Sequence, residues 1–382
     1  MFSHIAQEIP PFIVMDVLER AQALERAGRD VIHLEVGEPD FPTPAAVQEA
    51  GIRAIRQGKT RYTHSLGLIP LREAIAQWYA DHYGVSVSPD RILVTPGTSP
   101  AMLLIFSLLL NPGEEIIMGN PHYACYPNFV RIFQGVPRFI MTAEAEGFQP
   151  TPEAMAALIT PRTKGIMINS PSNPTGTLLP ETAMEAIAAL GPLVVSDEIY
   201  HGLVYEDRAH TILEYTDRAV VLNGFSKFFA MTGWRLGYAI LPEAMVRPIQ
   251  RLQQNFIISA PDFTQWAGIA ALKETGEECR RMVKIYNERR RFMVGRLREI
   301  GLSVAVTPTG AFYVLANARQ YTDDSHGFAM KLLEETGVAV TPGIDFGENT
   351  EGYLRFSYAN SLEKIEKGLD RIGTYLQKRK AS

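Results

Sequence analysis

Lys227 lies in the run Asn223-Gly-Phe-Ser-Lys-Phe-Phe-Ala-Met-Thr-Gly-Trp-Arg235, with Ser226 before it and two phenylalanines after it. The apolar run Ala219–Leu222 ahead of it reads as a buried strand, and Asn223-Gly224 as the break of that strand. A lysine that leaves a strand end among Phe225, Phe228 and Phe229 is partly desolvated. Desolvation disfavours the ammonium, and a neutral amine is a nucleophile that condenses with a carbonyl. Further on, Arg235 supplies a permanent positive charge suited to a phosphate. Serine, lysine and arginine in this order suit an aldehyde that carries a phosphate. A surface loop with two scattered cations has the same composition, so the reading depends on other segments.

Five segments bear on it. Ser196-Asp-Glu-Ile-Tyr200 follows the apolar pair Val194-Val195, so Asp197 is a carboxylate at the edge of a core and needs a cation or N–H partner. A protonated pyridine nitrogen would serve, and Tyr200 could direct its phenol to the same ring; a helix cap with a packed tyrosine is the plainer alternative. Asn169-Ser-Pro-Ser-Asn-Pro-Thr-Gly176 has two X-Pro steps, which restrict the backbone and would present the Asn173 amide at a fixed point. Thr95-Pro-Gly-Thr-Ser-Pro100 joins a strand to a helix, with Ser99 as the expected N-cap and Pro100 as the first helical residue. Thr98 and Ser99 then offer N–H groups to a phosphate, although an ordinary capped helix would look the same. In Asn120-Pro-His-Tyr123, Tyr123 could stack on a flat ring or simply pack. Arg355 sits in the alternating run Tyr353–Tyr358; aimed inward it needs an anion, either a ligand carboxylate or an internal Asp or Glu.

The elements that must position these residues follow an α/β pattern. Strand-like runs Arg91–Thr95, Glu115–Met118, Gly165–Ile168, Leu193–Ser196 and Ala219–Leu222 alternate with helical patterns near Pro100–Leu110, Tyr126–Gln134 and Pro180–Leu190. Such alternation indicates a mainly parallel sheet with helices on both faces, with ligands beyond the carboxyl ends of the strands. A long charged helix, Glu274–Ile300, is expected next. After it come short strands, Ala311–Val314 and Tyr353–Ser357, and helices near Gly327–Thr336 and Leu362–Lys378, which indicate a smaller α+β domain. The stretch up to Asp40 has no strand partner nearby and is expected to pack with this C-terminal part.

The 382 residues exceed what one small core needs. With 46% hydrophobic and 21% charged residues and a net charge of −5, the composition is that of a globular enzyme and disfavours a nucleic-acid or anionic-membrane partner. Basic runs such as Arg289-Arg290-Arg291 read as solvated helix faces. No signal peptide is expected from the first residues, and the longest apolar run, Ala101–Leu110, is too short for a bilayer. Cys125 and Cys279 are the only cysteines, which points to a reducing, cytoplasmic compartment and to no structural metal site.

Taken in order, these segments and Gly37-Glu-Pro-Asp-Phe41 make the chain resemble the class I/II aminotransferases of the fold-type I pyridoxal-phosphate enzymes, over nearly its whole length. The resemblance implies a seven-stranded-type, mainly parallel sheet. It also implies three regions: residues 1–45 as an N-terminal arm and part of the small domain, 46–285 as the large cofactor-binding domain, and 286–382 as the small domain. It makes Lys227 the Schiff-base lysine and proton carrier, pairs Asp197 with the ring nitrogen, and turns Tyr200 and Asn173 to the ring hydroxyl. Tyr123 would stack on the ring. Thr98, Ser99, Ser226 and Arg235 would hold the phosphate, joined by Tyr62 from the second subunit of a homodimer. Arg355, Asn173 and the Gly37 backbone would hold the substrate α-carboxylate.

The segment Gln253–Ser259 contains no cation where dicarboxylate-specific relatives place an arginine of the neighbouring subunit, near Asn255. A buried distal carboxylate would lack a partner there, which favours a neutral or aromatic amino donor unless Arg131 or another cation reaches the pocket. The expected reaction is transfer of an amino group from an L-amino acid to a 2-oxo acid. The alternative is a C–S lyase on the same scaffold. A ligand-sensing regulator is disfavoured by the lack of a helix-turn-helix pattern before Gly37.

Overall fold

Near-continuous apolar runs build a seven-stranded central sheet, because strands covered on both faces need no polar alternation. The structure is a computed structural model that describes residues 2–381. The strands lie in the order Ile92–Thr95, Gly237–Ile240, Val220–Gly224, Leu193–Asp197, Thr163–Asn169, Glu115–Asn120 and Val136–Met141. Only Gly237–Ile240 runs against the rest. Its neighbours Ile92–Thr95 and Val220–Gly224 are buried throughout, whereas the edge strand Val136–Met141 is mostly only partly buried and is exposed at both ends.

Two of these strands escape sequence reading. Val136–Met141 carries Pro137 and Arg138, which an edge position tolerates, and Gly237–Ile240 is short and begins at a glycine. Asn223 and Gly224 do not break their strand; they pair with Tyr238 and Gly237. A Cβ on Gly224 would stand 3.0 Å from the Gly237 Cα, so the two glycines let the strands approach. Ser99 is not an N-cap either. The helix Thr98–Leu109 starts earlier, with Gly97 as its cap at φ 94°, and Pro100 falls in the first turn, where no N–H is needed.

A second core lies against this sheet. Its antiparallel strands stand in the order Thr341–Pro342, Tyr353–Ser357, Tyr313–Asn317. The first of the expected short strands thus begins at Tyr313 rather than at Ala311. Ile32–His33 pairs in parallel with Val338–Ala339, so the N-terminal stretch does join the C-terminal part. The expected long charged helix is Gly276–Glu299, and a further helix, Asp262–Glu274, precedes it, the two parted at Thr275. Along the second helix, Cys279 packs in the sheet's core and Met293 and Leu297 pack in the other, so one helix ties the two together. Arg289 and Arg290 on this helix are buried, not solvated: Arg289 pairs with Asp40 at 2.8 Å, and Arg290 pairs with Glu206 and the Pro308 carbonyl. Among the described residues, no helix is long and apolar enough to cross a membrane.

Candidate active site

The strands Leu193–Asp197 and Val220–Gly224 deliver their carboxyl ends to a cavity of about 300 Å³ between the two cores. Its lining includes Gly37, Thr98, Ser99, Tyr123, Asn173, Asp197, Tyr200, Ser226, Lys227, Arg235 and Arg355, so these sequence-predicted residues meet in one place. Tyr62 does not join them: it is 80% exposed and lies outside this cavity.

Part of the Lys227 side chain remains exposed, but its ammonium end is enclosed and donates to the Gly37 carbonyl at 2.6 Å. Burial pulls its pKa down from 10.5 to about 8; the Glu38 carboxylate opposes this, Arg355 and Arg235 add to it, and Asp197 opposes it. The aromatic surroundings differ from expectation. Nζ lies 6.0 Å from the Tyr200 ring centre and 5.9 Å from that of Phe312, whereas Phe225 and Phe229 turn into the core of the sheet. The reason is local: the strand ends at Gly224 and the chain turns through Ser226–Phe229, which puts Phe225 and Phe229 in the same core.

Asp197 is the last residue of its strand and is 3% exposed. Its Oδ1 accepts from the Ile199 N–H at 3.1 Å and its Oδ2 from the Tyr126 hydroxyl at 2.7 Å. Burial lifts its pKa to about 6, and the Tyr126 and Ile199 hydrogen bonds and Lys227 restrain the rise. The Tyr200 hydroxyl meets that of Tyr313 at 2.9 Å. Asn173 is held by its own N–H, which donates to Asn169 Oδ1 at 2.8 Å; the Ser170–Pro171 and Asn173–Pro174 bonds around it are cis.

Among the described residues, Arg355 has no carboxylate partner. Nη1 donates to Asn173 Oδ1 at 2.9 Å, and Nη2 donates to Thr341 Oγ1 at 3.1 Å and to the Glu35 carbonyl. Its guanidinium lies 4.3 Å from the Tyr313 ring centre and 4.8 Å from that of Phe346, and its buried Nε has no partner. At the other end, Arg235 packs so close to Gly97 that a Cβ there would stand 2.7 Å from its Nη2. The start of the helix Thr98–Leu109, the buried Ser226 and this guanidinium thus lie together.

Several lining residues have no sequence signal of their own. Tyr126 follows Tyr123 by one helical turn, a spacing that puts both on one side, and their rings meet edge-on at 5.2 Å. Tyr313 and Glu38 line the cavity as well; Glu38 accepts from Thr232 Oγ1 at 2.5 Å. Phe12, Val14, Met15 and Leu18 form an apolar wall from the N-terminal helix Ile13–Arg26. The segment Gln253–Ser259 does not line the cavity of its own chain. Asn255 is exposed and bonds the Arg251 carbonyl at 2.8 Å, and Gln253 is buried on the Val94 carbonyl at 2.8 Å. Arg131 bonds Asn128 and stays outside too.

This donor set fits pyridoxal 5'-phosphate. An enclosed amine of lowered pKa suits its aldehyde, a buried carboxylate suits a protonated ring nitrogen, and a helix start with an arginine suits its phosphate. The partnerless Nε of Arg355 leaves capacity for a further anion, the substrate carboxylate.

Comparison with known proteins agrees with the geometry. The model of the family "Aminotransferase class I and II" matches residues 29–372. The chain is 42% identical over 371 residues to a (5-formylfuran-3-yl)methyl phosphate transaminase of Methanocaldococcus jannaschii, covering 96% of this chain and 97% of that one. It is 39% identical over 384 residues to an aspartate/prephenate aminotransferase of Thermus thermophilus, covering 98% of each. The solved Thermus thermophilus aspartate aminotransferase with maleate superposes with a TM-score of 0.94 at 38% identity, over 98% of this chain and 99% of that one. A Methanococcus jannaschii structure described as similar in its active site to kynurenine aminotransferases superposes with a TM-score of 0.92 at 41% identity, over 98% and 100%.

Proposed function

This chain belongs to the class I and II aminotransferases, and we propose that it takes the amino group from a neutral or aromatic L-amino acid and passes it to a 2-oxo acid with the residues of this cavity. The cofactor, pyridoxal phosphate, supplies when bound an aldehyde that takes up the amine and a ring that withdraws electrons. Lys227 holds that aldehyde and then carries the proton to and from the substrate α-carbon. Asp197 keeps the ring nitrogen protonated, with Tyr126 fixing its carboxylate. Tyr200 and Asn173 orient the ring hydroxyl, and Tyr123 covers the ring face. Thr98, Ser99, Ser226 and Arg235 bind the phosphate, and Arg355, Asn173 and the Gly37 backbone bind the α-carboxylate. The observation that carries this reading is a partly buried lysine of lowered pKa in one cavity with an arginine that pairs with no acid among the described residues.

The donor class rests on the wall of Phe12, Val14, Met15 and Leu18. The cations that line the cavity among the described residues are Lys227, Arg235 and Arg355, and each has another task. A distal carboxylate would be buried against apolar surface. The working form is a homodimer in which Tyr62 of one copy completes the phosphate site of the other; Tyr62 at 80% and Phe256 at 73% exposure are large aromatics left open in the single chain. The chain divides at about residues 45 and 285 into arm, large domain and small domain, a division supported by the two cores. Two unpaired cysteines fit a cytoplasmic location.

The test is the half-reaction. Single amino acids are added without acceptor, and the visible absorbance of the bound cofactor is followed. Phenylalanine, tyrosine or leucine should discharge it fastest; aspartate or glutamate as the fastest donor would refute the donor class.

A further inference from the structure

The helix Ile13–Arg26 begins without a cap of its own: Phe12 precedes it, and no side chain there accepts from the first turn. Asp345, far along the chain, performs that task. Its Oδ1 accepts from the Ile13 N–H at 3.0 Å and its Oδ2 from the Val14 N–H at 3.3 Å. Burial raises the pKa of this carboxyl, and the two N–H groups and Arg355 offset the rise. A carboxylate so enclosed persists because it meets donors, here the free N–H groups of a helix start.

The first turn of this helix is the apolar wall of the cavity. Phe12, Val14, Met15 and Leu18 line it, and the Phe12 ring meets that of Tyr123 edge-on at 5.9 Å. Met15 is 43% exposed, so apolar surface in this wall is still uncovered. The turn that carries Asp345, Gly343–Phe346, also touches the rest of the site. The Phe346 ring lies against the Arg355 guanidinium at 4.8 Å, and the Phe346 carbonyl accepts from the His122 N–H at 3.0 Å, beside Tyr123. One short turn therefore seats the arginine, the loop of the stacking tyrosine and the wall.

We propose that Asp345 is a positioning residue for donor recognition: by capping the helix Ile13–Arg26 from the far end of the chain, it holds the apolar wall against the cavity, so that discrimination among donor side chains depends on this cap. The inference rests on the reading of this cavity as the aminotransferase site.

The experiment compares the holoenzyme with Asp345→Ala and Asp345→Asn on alanine, whose methyl buries little against the wall, and on the large donor that the wild type uses best. Asp345→Ala should lower kcat/KM for the large donor about tenfold, chiefly through KM, the scale of a lost helix cap. Alanine should change less than about twofold, and Asp345→Asn, which keeps an acceptor, should recover most of the loss. Amide hydrogen exchange of residues 13–18 should quicken about tenfold in Asp345→Ala and stay near wild type in Asp345→Asn. Equal losses on alanine and the large donor, or unchanged exchange at residues 13–18, would overturn the proposal. If the preferred donor proves acidic, the donor class proposed above fails by itself, while the cap is still judged by alanine against that donor and by the exchange.

Discussion

Arg355 and Asn173 lie 182 positions apart, yet Arg355 Nη1 donates to Asn173 Oδ1 at 2.9 Å. This contact joins the short antiparallel sheet to the loop beyond the strand Thr163–Asn169 of the central sheet. The guanidinium also lies over the rings of Tyr313 and Phe346 and donates to Thr341. These contacts restrict its motion, which lowers the entropic cost of recognition.

The lowered pKa of Lys227 sets how the apoprotein captures its cofactor. The neutral amine is the reactive form, and burial brings its pKa from 10.5 to about 8. The rate of covalent pyridoxal phosphate capture should therefore rise with pH and level off above about 8, well below the range of a solvated lysine. Stopped-flow absorbance over a pH series measures it, and borohydride reduction with peptide mapping should place the label on Lys227. Lys227→Ala should bind the cofactor reversibly without reducible linkage and lose transamination. A label on another lysine would refute the assignment.

Asp197→Ala should fold but turn over slowly. Without the carboxylate the ring nitrogen loses its proton, and the loss should fall on kcat more than on donor binding. A drop on the order of a hundredfold or more is expected for removing one such buried electrostatic partner. The Ile199 N–H and the Tyr126 hydroxyl would be left without an acceptor, at about 1–3 kcal/mol each. Circular dichroism and thermal denaturation separate that loss from the catalytic one. Near-normal kcat would mean that Asp197 only ties down the turn at Ile199.

Lys227, Asp197 and Arg355 could be found in the sequence because each is a charged residue embedded in apolar context, which requires a reason. The residues that sequence reading missed give no such contradiction. Tyr126, Tyr313 and the wall of Phe12, Val14, Met15 and Leu18 have the composition of ordinary core, and only packing decides that they face a cavity. Asp345 looks like any polar residue in a turn, since its partners are backbone groups of a helix more than 300 positions away. The reading of Gln253–Ser259 concerns the site of a second copy; within its own chain, the amides of Gln253 and Asn255 donate to nearby carbonyls. The parallel sheet was visible in its apolar runs, except where an edge position admitted Pro137 and Arg138 and where glycine opens Gly237–Ile240.

Behind the arginine, His33 Nδ1 meets the fully buried Glu35 at 2.6 Å, and Nε2 lies 3.2 Å from Glu25. The hydrogen bond to Glu35 raises the His33 pKa from 6.5 to about 9 against the opposing effect of burial, with Glu25 adding a smaller rise. A raised folded-state pKa stabilises fully below the unfolded value, so the contribution is complete below pH 6.5 and is lost as pH rises through 9. His33→Gln should thus be less stable than wild type by about 1–2 kcal/mol at pH 6, after allowance for screening of a partly exposed ring, and the gap should close by about pH 10. Urea denaturation at several pH values measures it. A gap that is independent of pH would assign His33 a packing role instead.

Arg355→Lys tests the most specific placement in the cavity. An ammonium cannot make the paired planar contact that a guanidinium offers a carboxylate. The loss in kcat/KM should be on the order of 2–5 kcal/mol. It should be similar for every amino donor, because all share the α-carboxylate. Substitutions in the wall, such as Met15→Ala or Leu18→Ala, should instead reorder the donors and leave alanine nearly unchanged. Asn255 and Ile258 lie outside the cavity of their own chain, so changes there should reorder donors only if a second copy brings them to its partner's site. The measurement is kcat/KM for a panel of polar, apolar and acidic donors on all these variants. If Arg355→Lys impaired acidic donors alone, Arg355 would be reading the side chain, and the substrate would lie in the cavity with its two ends exchanged.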